Sequence, residues 1–197
     1  MYFLSENKKQ FTTYMLTCQV QRKEINMRIT LNAGHFRGVD CGACGFGLQE
    51  ADVAYEITKG VEKYLNAVGI ETVFVHEDEL STITDVANST NSDLFASIHC
   101  NAFNGVAKGT EVCVYSLGGE SAKLGQCVQD QIVNSLGTVD RGLKERPGLY
   151  VLKHTDMPAI LIETAFIDNA EDNALLRDKK DEFAKAIARG VTDYQCL

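Results

Sequence analysis

Four side chains in this sequence have the types and placement for metal-assisted hydrolysis: His35, Glu50, His99 and Glu163. His35 follows the apolar run RITLNA, His99 closes LFASIH, and Glu163 sits near the end of PAILIET. Each stands where an apolar run gives way to polar residues, and in an open α/β sheet ligands bind outside the carboxyl ends of the strands. Glu50 lies four residues ahead of Ala54 and shares a helix face with Ala54, Ile57 and Val61, the face that must turn to the sheet. A carboxylate there is costly unless compensated, and a metal ion supplies the compensation. Two imidazoles and one carboxylate form a zinc set whose fourth tetrahedral position is open to water, and the ion lowers the pKa of that water to about 7. A second carboxylate able to carry the proton from water to the leaving amine would complete the site, and Glu163 is placed for that role. Taken singly, each residue has a plain structural reading: a hydrogen-bonded histidine, an acid favouring a helix N-terminus, a satisfied buried acid. Their convergence on one edge of an expected sheet is what points to a site.

Other candidates carry less. Cys41 and Cys44 spell a CxxC, which raises redox or zinc-ribbon chemistry. A ribbon needs a second pair that Cys100, Cys113 and Cys127 do not supply, and a thioredoxin-like motif should open a helix directly after a strand. His76 closes ETVFVH and His154 follows GLYVLK, but their flanks EDEL and TDMP read as solvated turns. Arg141, with Lys144 and Arg146, forms the one basic cluster; it is either a solvated loop or a contact for a substrate carboxylate. Asn101, two residues beyond His99, is placed to orient substrate or a ligand.

The elements that must position these groups alternate along the chain. Short apolar runs at RITLNA, ETVFVH, LFASIH, TEVCVYS, GLYVLKH and PAILIETAF read as strands. Helical spacing appears in LQEADVAYEITKGVEKYLNAVG with Gly69 as its stop, from about Ser81 to Asn91, from about Glu120 to Leu136, and in one or two helices between Ala170 and Tyr194. The expected class is α/β: one domain with a twisted, mostly parallel sheet of about six strands and helices on both faces. Residues 1–26 have no sustained period and read as a loose N-terminal extension before a catalytic domain over 27–197, and Met15 or Met27 is an alternative start. A length of 197 residues suits one core. The net charge of −8 disfavours nucleic acid and anionic membranes, and no stretch reaches the length of a membrane span. The odd count of 7 cysteines, without an evident secretory signal, suggests free thiols made in a reducing compartment.

The ordered series NAGH at 32–35, DCGACG at 40–45, Glu50, SIHCNA at 97–102, GTEV at 109–112, RGLK at 141–144 and PAILIETAFIDN at 158–169 resembles the zinc-dependent N-acetylmuramoyl-L-alanine amidases of the Amidase_3 family, from about Arg28 to Tyr194. The resemblance implies a peptidoglycan hydrolase that cleaves the amide between the lactyl group of N-acetylmuramic acid and L-alanine. It carries the zinc ligands over to His35, Glu50 and His99 and the catalytic glutamate to Glu163. The loop after His35 departs from the family pattern in holding Phe36, Arg37 and two cysteines, and Ile83 and Asp85 occupy a region where many members carry an arginine. The rival expectations are a zinc peptidase of the carboxypeptidase or aminopeptidase kind and an inactive wall-binding module, which should lack one of the four site residues. The setting expected is synthesis in the cytoplasm without a signal peptide, as a monomer that acts on the wall after release, in the manner of a phage or prophage endolysin or a lysis-released autolysin.

Overall fold

The computed structural model describes residues 27–197, so the expected extension over 1–26 lies outside the described residues. In chain order the elements are β1 (Arg28–Ala33), β2 (Cys44–Gly45), β3 (Leu48–Gln49), α1 (Glu50–Ala67), β4 (Glu71–Val75), α2 (Leu80–Ser89) and β5 (Leu94–Asn101). There follow β6 (Thr110–Val114), α3 (Gly119–Leu136), β7 (Asp140–Glu145), α4 (Tyr150–Lys153), β8 (Ala159–Phe166), α5 (Ala170–Asp178) and α6 (Lys180–Gln195). Six strands form one sheet in the order β4-β1-β5-β8-β6-β7, and β2 and β3 make a small separate hairpin. All neighbours in the large sheet pair parallel except β6 with β8, which are antiparallel. The expected mixed, mostly parallel α/β sheet is therefore the observed one.

The two faces of the sheet are covered unequally, and that inequality makes room for a site. On one face α1, α3 and α6 pack through Val53, Ile57, Val61 and Leu65, through Leu124, Val128 and Ile132, and through Phe183 and Ile187, onto Ile29, Leu31, Ile98 and Ile162. Each of these fully buried apolar side chains contributes about 1.5–3 kcal/mol. Among the described residues the other face is covered by the shorter α2, through Ile83 and Ala87 with Val86 partly buried beside them, and by Val151 and Leu152 of the four-residue α4, packed on Phe95, Cys113 and Leu161. His99, Glu163 and Glu111 belong to this thinly covered side, since they alternate with Ile98, Ile162 and Val112 of the thick core.

Two local expectations are corrected. GLYVLKH is not a strand: Tyr150–Lys153 is a turn of helix, because Pro147-Gly148 redirects the chain and the adjacent pair Val151-Leu152 buries on one side. The strand in that region is the polar stretch DRGLKE, expected to be a loop, which pairs only with β6 at the sheet edge. An edge strand needs no apolar pattern on its free side and is safer with charges there, which is why composition hid it.

The turn after β5 is held by the segment after β8. Asp168 Oδ2 accepts hydrogen bonds from the backbone N–H of Phe103 (3.0 Å) and Gly105 (2.9 Å), and Asp172 Oδ2 accepts from Gly109 (2.7 Å) and Phe166 (2.8 Å). Asn169 caps α5 by accepting from the N–H of Glu171 and Asp172. The polar end of PAILIETAFIDN is thus scaffold for the loop beyond His99.

Candidate metal centre and active site

His35, Glu50 and His99 come from three separate elements and meet at one point. Their donor atoms lie within 4.8 Å of one another, an arrangement able to hold a metal ion. His35 Nε2 is 3.1 Å from Glu50 Oε2, His99 Nδ1 is 2.9 Å from Glu50 Oε1, and the two rings stand edge to face with centroids 5.3 Å apart. His35 adopts φ +59°, a left-handed conformation unusual for a residue with a side chain, and such strain collects at functional sites. Gly34 has a matching reason: a Cβ there would run into the His99 ring.

Glu50 opens α1 and is 3% exposed. The helix has no side-chain N-cap, and the preceding loop does that work instead: the Glu50 N–H donates to Ala43 O (2.8 Å) and the Ala51 N–H to Cys41 O (3.1 Å). The carboxylate in turn accepts from the backbone N–H of Ala43 (2.8 Å) and Cys100 (3.0 Å). Burial by itself would raise the Glu50 carboxyl, but the hydrogen bonds to His35 and His99 and that from Ala43 hold it far below the usual carboxylate range. The carboxylate is therefore ionised, and the pocket favours positive charge beside it.

The second nitrogen of each imidazole is already engaged. His35 Nδ1 lies 2.6 Å from Asp40 Oδ2, so it carries a proton and leaves Nε2 turned to the cluster. His99 Nε2 lies 3.0 Å from Ser97 Oγ, whose own proton goes to Asn32 Oδ1 at 2.6 Å; Ser97 must accept, so Nδ1 is the nitrogen left for a ligand role. Hydrogen bonding to Glu50, opposed by burial and aided by Asp40, raises the His35 imidazole to about 9. The metal-free cluster therefore retains a proton on His35 beside the Glu50 carboxylate. Two oriented imidazole nitrogens and one ionised carboxylate fit a zinc-type donor set.

Glu163 stands directly opposite His99 in the parallel pairing of β5 with β8. Its Oε2 is buried with no hydrogen-bond partner among the described residues. Burial pushes its carboxyl up to about 7; the nearby Glu50 and Glu111 add to the rise, and His99 opposes it. A carboxyl poised near neutrality is suited to taking and returning a proton. On the other side of Glu163 the antiparallel pairing places Glu111, which is buried and held by Arg141 Nε (2.8 Å) and Asn101 Nδ2 (3.3 Å). The Arg141 guanidinium also lies over the Phe166 ring, 4.8 Å from its centroid. Arg141 and Asn101 are therefore joined to each other through Glu111, at the flank of Glu163.

A cleft of ≈ 390 Å³ opens on the thinly covered face, lined by Asn32, His35, His99, Ile83, Leu149 and Tyr150 among others. That is the size range of a small-molecule or short-peptide site. His76 and His154 stay outside the cluster. His76 lies against Phe36, Tyr55 and Phe74, half-buried rather than in a solvated turn; His154 stacks on Tyr150 at 4.0 Å and is exposed at the rim.

Asp40, Ser97 and Glu111 were not singled out by their sequence context. Ser97 was accessible to it, being two residues before His99 on the same strand face; Asp40 needed the fold of the loop. Replacing Asp40 with alanine releases the His35 ring, and the expected result is a metal affinity lower by about 10- to 100-fold. Isothermal titration with zinc checks it, and unchanged affinity would remove Asp40 from the site.

Comparison with known proteins shows the family and the fold. The Amidase_3 family, described as N-acetylmuramoyl-L-alanine amidase, matches residues 29–193. The N-acetylmuramoyl-L-alanine amidase LytC of Bacillus subtilis is 35% identical over 185 residues, covering 89% of this chain and 37% of LytC. The endolysin of Bacillus phage SPP1 is 38% identical over 173 residues, 82% of this chain and 62% of the endolysin. The chain thus spans less than two thirds of the length of either relative. The structure of the amidase AmiC2 of Nostoc punctiforme superposes with a TM-score of 0.81 at 31% identity, over 87% of this chain and 98% of that one.

Proposed function

The chain belongs to the Amidase_3 family of N-acetylmuramoyl-L-alanine amidases, and from that premise we propose that it is a zinc-dependent peptidoglycan hydrolase that cleaves the amide between the lactyl group of N-acetylmuramic acid and the L-alanine of the stem peptide. The observation that carries the proposal is the meeting of His35, Glu50 and His99 beside Glu163 at the head of the open cleft.

In this reading His35 Nε2, Glu50 and His99 Nδ1 hold the ion, and Asp40 and Ser97 fix which nitrogen each ring presents. Held there, zinc would supply Lewis acidity toward the scissile carbonyl and would lower the pKa of a water to about 7. Glu163 takes the proton of the attacking water on its unpartnered Oε2 and delivers it to the departing alanine nitrogen, so that an amine rather than an amide anion leaves. Arg141 gives Nε to Glu111, and among the described residues its terminal nitrogens have no hydrogen-bond partner and can meet a carboxylate of the stem peptide, while Asn101 orients the substrate from the same flank. With a net charge of −8 the chain has no general attraction for an anionic wall, so affinity comes from the cleft and such local contacts. The site of action is the cell wall, reached on release as a lysin. No helix among the described residues is long and apolar enough to cross a membrane.

Incubation with purified peptidoglycan tests the reaction. The expected products are new amino-terminal L-alanine groups without new reducing sugar ends, their formation stopped by a chelator, with plain peptides left intact. Hydrolysis of plain peptides without release of L-alanine termini from walls would make the chain a zinc peptidase instead.

A further inference from the structure

The CxxC of the loop before α1 is not used by the reaction, yet its two thiols are in contact. Cys41 and Cys44 are both exposed, their sulfurs are 3.5 Å apart, and both lie over the Gly42 carbonyl, at 3.4 and 3.7 Å. The other cysteines among the described residues offer no such pair. Cys100 and Cys113 are buried, with thiols pushed upward by that burial, and neither Cys127 nor Cys196 has a neighbouring thiol among those residues.

The backbone between these two cysteines is wired to the metal cluster. The Gly42 N–H donates to Asp40 Oδ1 at 2.9 Å while Oδ2 of the same carboxylate holds His35, and the Ala43 N–H donates to Glu50. Cys41 O and Ala43 O receive the first two N–H groups of α1, the helix that carries Glu50. Gly42 has φ +63°, and a Cβ on it would lie 2.5 Å from His35 Cδ2 and 2.6 Å from Glu50 Oε2, so the loop rests directly on two of the three cluster residues.

We propose that Cys41 and Cys44 form a vicinal dithiol open to low-molecular-weight disulfides, and that their intramolecular bridge clamps the loop that orients His35 and Glu50. One cysteine thiolate attacks a sulfur of the small disulfide, forming a mixed disulfide and expelling one small thiolate. The second cysteine thiolate then attacks the protein sulfur of the mixed disulfide and expels the other. The two protein sulfurs are oxidised, the small disulfide is reduced to two thiols, and the two cysteine protons end on those thiols. The sulfurs stand 3.5 Å apart and must close to about 2.05 Å for the bridge to form. The clamping consequence rests on the proposed metal role of His35 and Glu50, whereas formation of the bridge does not.

The full chain, stripped of metal, is equilibrated with oxidised glutathione and digested, and the peptide holding residues 41 and 44 is weighed. The expected product is that peptide lighter by two hydrogens, with the metal-free protein melting about 2–4 °C higher than its reduced form. On zinc-loaded protein, the bridge is expected to slow release of the ion to a chelator by about tenfold, the scale on which support of a metal ligand acts. A Cys41→Ser, Cys44→Ser double variant is expected to show neither response to the oxidant. Persistent glutathione adducts at either cysteine, or a bridge that leaves melting unchanged, overturn the dithiol clamp. A bridge that raises melting without slowing zinc release overturns only the link to the site. If zinc does not bind at all while the bridge forms and raises melting, the failure lies with the metal reading.

Discussion

Replacing Glu163 with glutamine is expected to lower turnover of purified peptidoglycan by about 10²- to 10⁴-fold while zinc content stays at the native level, because a positioned acid–base group contributes on that scale. The substitution keeps size and shape at a half-buried position but cannot accept the water's proton. The loss should fall on kcat and leave KM little moved, since Glu163 acts on the proton rather than on the bound ground state. The same variant carries a second signature in the metal-free protein. Glu163 titrates at about 7 in the fold, above its value of 4.5 as a free side chain, so between those pH values the native state binds more protons than the unfolded chain. Its contribution is therefore complete at low pH and is lost as pH rises through 7, amounting to at most about 3 kcal/mol. Glutamine has no such titration, and the variant's stability should decline less between pH 4.5 and pH 8. Denaturant melts of both proteins across that range check the sign. A variant with full activity and native zinc would remove Glu163 from the reaction.

Replacing Glu50 with alanine is expected to take zinc content to near zero and activity to the level of untreated wall, with no recovery on adding zinc. Chelation of the native protein should give the same loss but with recovery, and that contrast separates a missing ligand from a missing ion. The expected fall in stability has a distinct cause. The carboxylate satisfies the backbone N–H groups of Ala43 and Cys100, and leaving a buried donor unpaired costs about 1–3 kcal/mol. Glu50→Gln keeps an oxygen for one of those donors, so it should recover part of the stability without recovering zinc. Stoichiometric zinc with full turnover in the alanine variant would overturn the role given to Glu50.

The two substitutions fail by different routes because the residues are held differently. Glu50 is enclosed by hydrogen bonds that keep it ionised, whereas Glu163 is buried with one oxygen unpartnered, beside the carboxylates of Glu50 and Glu111, and holds its proton until near neutrality. One fold thereby has a permanent anion and a proton carrier side by side.

The sequence by itself determined the elements whose pattern is carried by apolar residues: the core strands, and the long helix α1 with Gly69 (φ +87°) just beyond its end. It also singled out His35, Glu50, His99 and Glu163, because polar residues interrupting apolar runs and a charged position on a buried helix face can be read from periodicity alone, although Glu163 lies inside β8, three residues before its end. Tertiary structure alone decided what periodicity does not encode. The polar edge strand β7 exists because β6 offers it a partner, and GLYVLKH becomes helix because its apolar pair is needed under the thinly covered face. Asp40, Ser97 and Glu111 acquire their partners only when a loop folds back or a pairing register is set. A side chain's hydrogen-bond partner is a matter of distance in space, and residues such as Ala43 and Cys100, fifty-seven positions apart along the chain, come to share Glu50 only after the sheet and α1 have packed.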